Sequence, residues 1–209
     1  MIHETKALVK QRLKALQAPR QIRQYLSSTP QPLLHLGCGS QRFPGWLNAD
    51  IDGAVYLDLG RPFPLPDRSV AFVYHEHVIE HLPLDVTKRM LDECFRVMRP
   101  DGRMRISCPD FEMLARNYLQ SPQYYFETPI YQEKGYAPYR TALQRLCHVV
   151  YDFGHHWMWD FESLSLALTT AGFVDIVRVE FGESAHAPLR GLDRERRRSQ
   201  SMYVEARRP

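Results

Sequence analysis

The segment LLHLGCG, Leu33 to Gly39, followed at Leu47 by LNADID, most narrows what this chain folds into. Leu33, Leu34 and Leu36 form a short apolar run that reads as a buried strand. Gly37 and Gly39 then supply a turn where the backbone bends tightly and a ligand approaches without meeting a Cβ. A second strand ends in carboxylates, Asp50 and Asp52, and a carboxylate is the natural acceptor for two ribose hydroxyls. A dinucleotide fingerprint needs a third glycine where this chain has Arg42, to pack a helix N-terminus under a pyrophosphate. The pattern points to a nucleoside without a diphosphate.

Strand and helix patterns alternate along the rest of the chain. The opening segment, residues 1–24, sets Ala7, Leu8, Leu13, Ala15 and Leu16 among Lys6, Lys10, Arg12 and Lys14, an amphipathic basic helix expected to lie over one sheet edge. Strands are expected at Leu33–Leu36, Leu47–Ile51, Val55–Leu57 and Val70–Tyr74. The three prolines of RPFPLPDRS make a rigid connection ahead of the fourth. After Pro83, residues Val86, Met90, Leu91, Cys94, Phe95, Val97 and Met98 share one helical face, which ends at Pro100-Asp101-Gly102. RMRISC follows as strand five, where Met104, Ile106 and Cys108 alternate with Arg103, Arg105 and Ser107, suggesting partial cover on one side. Asp160 is the N-cap of a further helix with Gly172 at its C-terminal end, and VDIVRVEF and SMYVEA complete the set. This order predicts an α/β fold, a doubly wound and mostly parallel sheet in one domain spanning 1–209.

Residues 111–154 break the alternation. They are rich in tyrosine (Tyr118, Tyr124, Tyr125, Tyr131, Tyr136, Tyr139, Tyr151) and follow strand five, at the carboxyl edge where open α/β sheets bind ligands, so a substrate lid is expected there.

Composition sets bounds. With 209 residues and 44% hydrophobic content, the chain has enough apolar mass for one substantial core. No apolar run approaches the roughly 18 residues of a membrane span, and the N-terminus lacks a signal-peptide core, so a soluble cytoplasmic protein is expected. Cys38, Cys94, Cys108 and Cys147 are scattered, which suits reduced thiols. A net charge of +3 is too small to argue for nucleic acid.

The blocks LLHLGCGSQRFPGWLNADID, LDLGRPFPLPDRSV, HVIEHL, FRVMRPDGRMRISCPD, HHWMWDFESLSLALTTAGF and FGES, in this order, resemble the class I S-adenosylmethionine (SAM) dependent methyltransferases, closest to a bacterial group of small members of unassigned substrate. The resemblance implies a seven-stranded Rossmann-like sheet whose last strand runs antiparallel beside strand six, with an insertion after strand five. It implies SAM as cofactor and a small-molecule or glycan-precursor acceptor, methylated on oxygen or nitrogen. Leu36, Gly37, Cys38 and Gly39 would form the turn under the donor, Asp50 would accept the ribose hydroxyls and Ile51 would lie on the adenine. Asp58 would meet the adenine amino group beside Leu59, and Tyr74 and His75 would border the methionine portion. Relatives usually have a helix after the glycine turn, and SQRFPGW has no helical period, which leaves Arg42 as the candidate to neutralise the SAM carboxylate. Asp52 remains open as the ribose acid, since a slip of one residue reverses which side chain faces the ligand. A member of the fold that binds SAM without turnover, or a scaffold, is the other class left open.

His75, His77 and His81 crowd together in YHEHVIEHL, and His155-His156 open a later block. A metal would want a facial set with Glu76 or Glu80. The start of a helix at His77 and His81, and the match of Glu80-His81 to a packing motif of the family, favour structure, so no metal is expected. His75 and His155 are the candidates for a general base acting on a hydroxyl or amine. RGLDRERRRS lacks interleaved aromatics and reads as a solvated loop, so a nucleic-acid acceptor is a minor alternative.

Overall fold

The computed structural model describes the backbone of residues 2–209 and side chains from Gln11 onward. Helix α1 is Ile2–Ser28, β1 Leu33–Leu36, β2 Leu47–Asp50, β3 Val55–Tyr56, β4 Val70–Glu76, α2 Leu84–Val97 and β5 Met98–Pro109. Then come α3 (Phe111–Gln120), α4 (Tyr124–Glu127), α5 (Ala142–Cys147), α6 (Phe161–Thr170), β6 (Val174–Val179) and β7 (Ser201–Arg207). The strands form one sheet of order β3-β2-β1-β4-β5-β7-β6. Strands β1 to β5 pair in parallel, and β7 runs antiparallel between β5 and β6. The strand order reverses between β1 and β4, which is where an open α/β sheet splays its connections and leaves a crevice at the carboxyl ends.

Alternation along each strand sorts side chains to two faces. Leu34, Leu36, Leu47, Ala49, Val73, Met104, Ile106 and Val204 pack on one face against Met90, Leu91, Cys94 and Val97 of α2 and Leu164 and Leu168 of α6. Ala18 and Ile22 of α1 join the same core. Each such side chain contributes on the order of 1.5–3 kcal/mol by leaving water. Helix α1 lies against the edge strand β3, and Tyr25 Oη fixes its end by accepting from Leu33 N (2.9 Å) and reaching Gly45 O (2.9 Å). The Asp160 carboxylate caps α6 by accepting from Ser163 N at 2.8 Å, and Gly172 beyond its end takes φ +98°, a left-handed value that suits glycine.

The other face of β5 departs from the reading of partial cover. Arg105 and Ser107 are fully buried, because residues 180–194 fold back over them. Arg105 donates to Asp193 Oδ1 (3.0 Å), Glu205 Oε1 (2.9 Å), Glu183 O (2.8 Å) and Glu180 O (3.1 Å). The polar alternation marks a buried ionic layer rather than a wet face. Strand β5 also begins before Arg103, since Asp101 N bonds Arg208 O (2.9 Å) and Arg208 N bonds Gly102 O (3.0 Å), extending the ladder through the turn.

The basic segment RGLDRERRRS is likewise not simply solvated. Asp193 is buried, Arg194 N donates to Glu76 Oε1 (2.8 Å), Arg196 Nε donates to Glu133 Oε1 (2.6 Å), and Arg198 lies 3.5 Å from Glu195.

Residues 111–154 fold into short helices around a second core of Leu114, Tyr125, Ile130, Tyr131, Tyr136, Leu146 and Val149. Arg145 ties it together, donating to Tyr125 O (2.7 Å), Tyr131 O (2.8 Å) and Tyr139 O (3.0 Å). Three tyrosines of the expected lid, Tyr125, Tyr131 and Tyr136, thus fill an interior. Burying their rings is what lets a segment this short hold a shape of its own.

Candidate functional site

A cavity of about 280 Å³ opens at the carboxyl ends of β1, β2 and β3. It is lined by Gly37, Asp50, Ile51, Leu57, Asp58, Leu59, Gly60, Leu82 and Val86. Gly37 has φ +59°, and a Cβ there would sit 2.4 Å from Val78 Cγ2, so this position admits no side chain without displacing the loop after β4. Asp50 holds the turn together: Oδ2 accepts from Gly39 N at 2.9 Å and Oδ1 from Asp52 N at 2.8 Å. A carboxylate has about four acceptor positions, so it retains capacity for a ligand hydroxyl. Asp52 is exposed and does not line the cavity. Asp58 lines it while capping its own loop, its Oδ1 accepting from Gly60 N (2.9 Å) and its Oδ2 lying 3.1 Å from Arg61 Nε.

Among the residues singled out from the sequence, Gly37, Asp50, Ile51, Asp58 and Leu59 come together on this wall. Leu36 lies in the core, and Cys38 is buried behind the turn with its N–H on Ala49 O (3.2 Å). Burial pushes the Cys38 thiol pKa up, with Asp50 adding to the effect. Gly39 reaches the site through Asp50, and Arg42 stands outside the lining. Tyr74 does not border the cavity. It projects to the opposite sheet face, packed on His35 (5.2 Å between ring centres), Phe43 (5.7 Å) and Trp46 (6.4 Å). His75 is fully buried, neither ring nitrogen has a hydrogen-bond partner among the described residues, and burial pushes its pKa down to about 4.

Sequence reasoning passed over Asn48. Its Oδ1 accepts from Phe43 N (2.9 Å) and lies 3.2 Å from His35 Nδ1, while Nδ2 donates to Phe43 O (2.9 Å) and Trp46 O (3.0 Å). One amide side chain thereby shapes the loop between β1 and β2. The signal was an asparagine in the middle of an apolar strand, a residue rare there unless bonded.

A smaller cavity, about 80 Å³, lies at the ends of β4 and β5. His77, His81, Pro109, Val149, Phe153, His155, Arg197 and Gln200 line it. Residues Ile79–His81 form a single 3₁₀ turn and the α-helix begins only at Leu84, so the histidines are not spaced along a helix. His77 occupies the left-handed region at φ +53° and bridges two partners, with Nδ1 2.9 Å from Glu80 Oε1 and Nε2 2.8 Å from Ser201 Oγ. Burial works against the charged form of Glu80, yet His77 beside it holds the carboxyl below its usual pKa. His155 packs edge-on to His81 at 4.7 Å between ring centres, and burial pushes its pKa down to about 4, leaving the ring neutral near pH 7. Of the two histidines proposed as bases, His155 alone borders a cavity among those described.

The family model described as "Methyltransferase domain" matches residues 55–106. A SAM dependent methyltransferase from Archaeoglobus fulgidus has a similar structure, with TM-score 0.52 and 18% identity over 93% of this chain and 92% of that one. A protein from Thermotoga maritima described as a SAM-dependent methyltransferase, possible histamine N-methyltransferase, gives TM-score 0.52 at 14% identity over 100% of this chain and 96% of that one. No curated protein matches the sequence. The chain has the Rossmann-like methyltransferase fold, and the methyltransferase domain match falls within it, from β3 to β5. No helix among the described residues is long and apolar enough to cross a membrane.

Proposed function

From that fold and domain match, we propose that the chain transfers the methyl group of SAM to an oxygen or nitrogen of a small-molecule or glycan-precursor acceptor. The observation that carries the reading is the joint lining of one cavity by Gly37, Asp50, Ile51, Asp58 and Leu59 at the sheet's switch point. Bound SAM supplies an electrophilic methyl on a sulfonium, so the protein's task is to hold donor and acceptor in line and keep water out.

In this reading Asp50 accepts the ribose hydroxyls and Gly37 keeps the backbone low enough for the donor to lie on it. Ile51 and Leu59 cover the adenine, with Asp58 at its amino edge, and Arg42 faces the donor's carboxylate. The acceptor enters beside the cavity at β4 and β5, with residues 111–154 as its cover through Val149 and Phe153. His155 stands on the acceptor side, in the wall of that cavity. Arg194, Arg196 and Arg198 each face an acidic partner, which weighs against this segment as a nucleic-acid contact.

The test is turnover. Purified chain is incubated with SAM and a panel of hydroxylated and amino acceptors, and S-adenosylhomocysteine release is followed. Release that requires one acceptor class and falls at least tenfold in Asp50→Ala supports the reading. SAM binding without turnover on any acceptor favours a SAM-binding scaffold.

A further inference from the structure

We propose that Glu80, His81 and His155 form a binding site for a divalent transition-metal ion at the acceptor end of the sheet. One donor atom from each of the three residues can be chosen so that all lie within 4.8 Å of one another. Two imidazoles facing a cavity and one carboxylate buried beside them make the donor set that zinc and iron(II) take and that magnesium, which prefers oxygen, does not. The sequence alone set a metal aside because His77 and His81 looked like a helix start. The fold instead turns Glu80 and His81 on a 3₁₀ turn and brings His155 to them from 74 residues on (155 − 81).

Three further observations point to a ligand. Glu80 is fully buried, and its Oε2 has no hydrogen-bond partner among the described residues, a costly state for a carboxylate oxygen that a cation would relieve. His81 and His155 border a cavity of about 80 Å³, room for an ion with one or two waters or a ligand atom, and Glu80 is buried beside them. The backbone also holds the two halves in register, since His156 N and Trp157 N both donate to Glu80 O, at 2.8 and 3.2 Å.

His77 completes the arrangement from outside it. With Nδ1 2.9 Å from Glu80 Oε1 and its other nitrogen 2.8 Å from Ser201 Oγ, it stands beside the carboxylate as a second partner outside the ligand set. His81 Nδ1 lies 3.3 Å from Gly154 O, which leaves Nε2 as its ligand atom. Arg197 lines the same cavity, so the open coordination positions favour an anionic oxygen donor over an amine. The site rests on this geometry alone and does not depend on the identity of the methyl acceptor. It makes His155 a metal ligand in place of a free base.

The experiment uses the tag-free full chain, first assayed for metal by mass spectrometry as purified, then stripped with chelator and titrated with zinc chloride and with magnesium chloride by calorimetry. One zinc per chain, no comparable magnesium binding, and a rise in melting temperature with zinc are expected. His81→Ala and His155→Ala should each weaken zinc at least tenfold, while His156→Ala, next door and exposed, should not. SAM titrations run alongside on each variant show that the fold and the donor site persist, so loss of zinc with SAM binding retained is the supporting result. Absence of stoichiometric zinc binding in the wild type, or zinc binding unchanged in both histidine variants, overturns the proposal.

Discussion

Arg105 Nε and Asp193 Oδ1 lie 3.0 Å apart, both side chains wholly buried, from positions 88 residues apart in the chain. The pair fastens the segment before β7 to the middle of the sheet, and Glu205 on β7 takes a third guanidinium hydrogen at 2.9 Å. Because every guanidinium N–H of Arg105 is matched, removing one partner strands charge in the interior. Arg105→Met should destabilise the protein by about 3–5 kcal/mol in denaturant titration, and adding Asp193→Asn should recover part of the loss. A change below about 1 kcal/mol would show that the layer is wetter than its burial indicates.

Asp50 and Asp52 give a sharper comparison. Asp50 lines the 280 Å³ cavity and holds the glycine turn, whereas Asp52 is exposed and outside the lining. Asp50→Ala should weaken SAM by on the order of 1.5–3 kcal/mol, roughly tenfold or more, and Asp52→Ala should change it little. Equal small effects in calorimetric titration would mean that the ribose lies elsewhere.

Acid stability carries the signature of His35. Burial pushes its pKa from 6.5 to about 4, while its bond to Asn48 acts the other way. The unfolded chain therefore binds a proton more readily than the folded one between pH 6.5 and about 4. Stability contributed by the neutral ring is complete above pH 6.5 and is lost as pH falls through this window, up to about 3 kcal/mol. His35→Gln should flatten the pH dependence of unfolding free energy across that range by the share of one proton. An unchanged slope would assign the acid loss to other groups.

Residues 111–154 have a core of their own, joined to the rest of the chain by contacts that include Tyr124 Oη to Ser199 O, Arg196 to Glu133 and Arg178 of β6 to Glu112. The amides of this segment should exchange faster than those of β4 in the free protein and slow when SAM and a product-like acceptor analogue are added. Protection already equal to β4, and unmoved by ligand, would make the segment a fixed wall.

What the sequence disclosed and what it withheld divide along the range of the interactions. Apolar periodicity located the strands, and Asp160 and Gly172 marked the ends of α6, because these signals are written within a few residues. The turn at Gly37 was legible for the same reason. Arg105 was misread as a sign of a wet strand face, since its partners at Asp193 and Glu205 lie 88 and 100 residues away and nothing local announces them. The tyrosine content of residues 111–154 points to a lid, whereas Tyr125, Tyr131 and Tyr136 pack on one another, with Tyr125 and Tyr131 ring centres 5.2 Å apart. The approach of His155 to Glu80 and His81 depends on the path of the whole segment between β5 and α6, which pattern alone does not trace.

The central claim is that the cavity holding Gly37, Asp50 and Asp58 is a SAM site, and a calorimetric titration of the purified chain with SAM, S-adenosylhomocysteine, NAD and ATP tests it most directly. SAM and S-adenosylhomocysteine should bind at one per chain, and SAM at 100 times its dissociation constant should raise the unfolding free energy by about 2.7 kcal/mol. Tight binding of NAD with none of SAM would contradict the account.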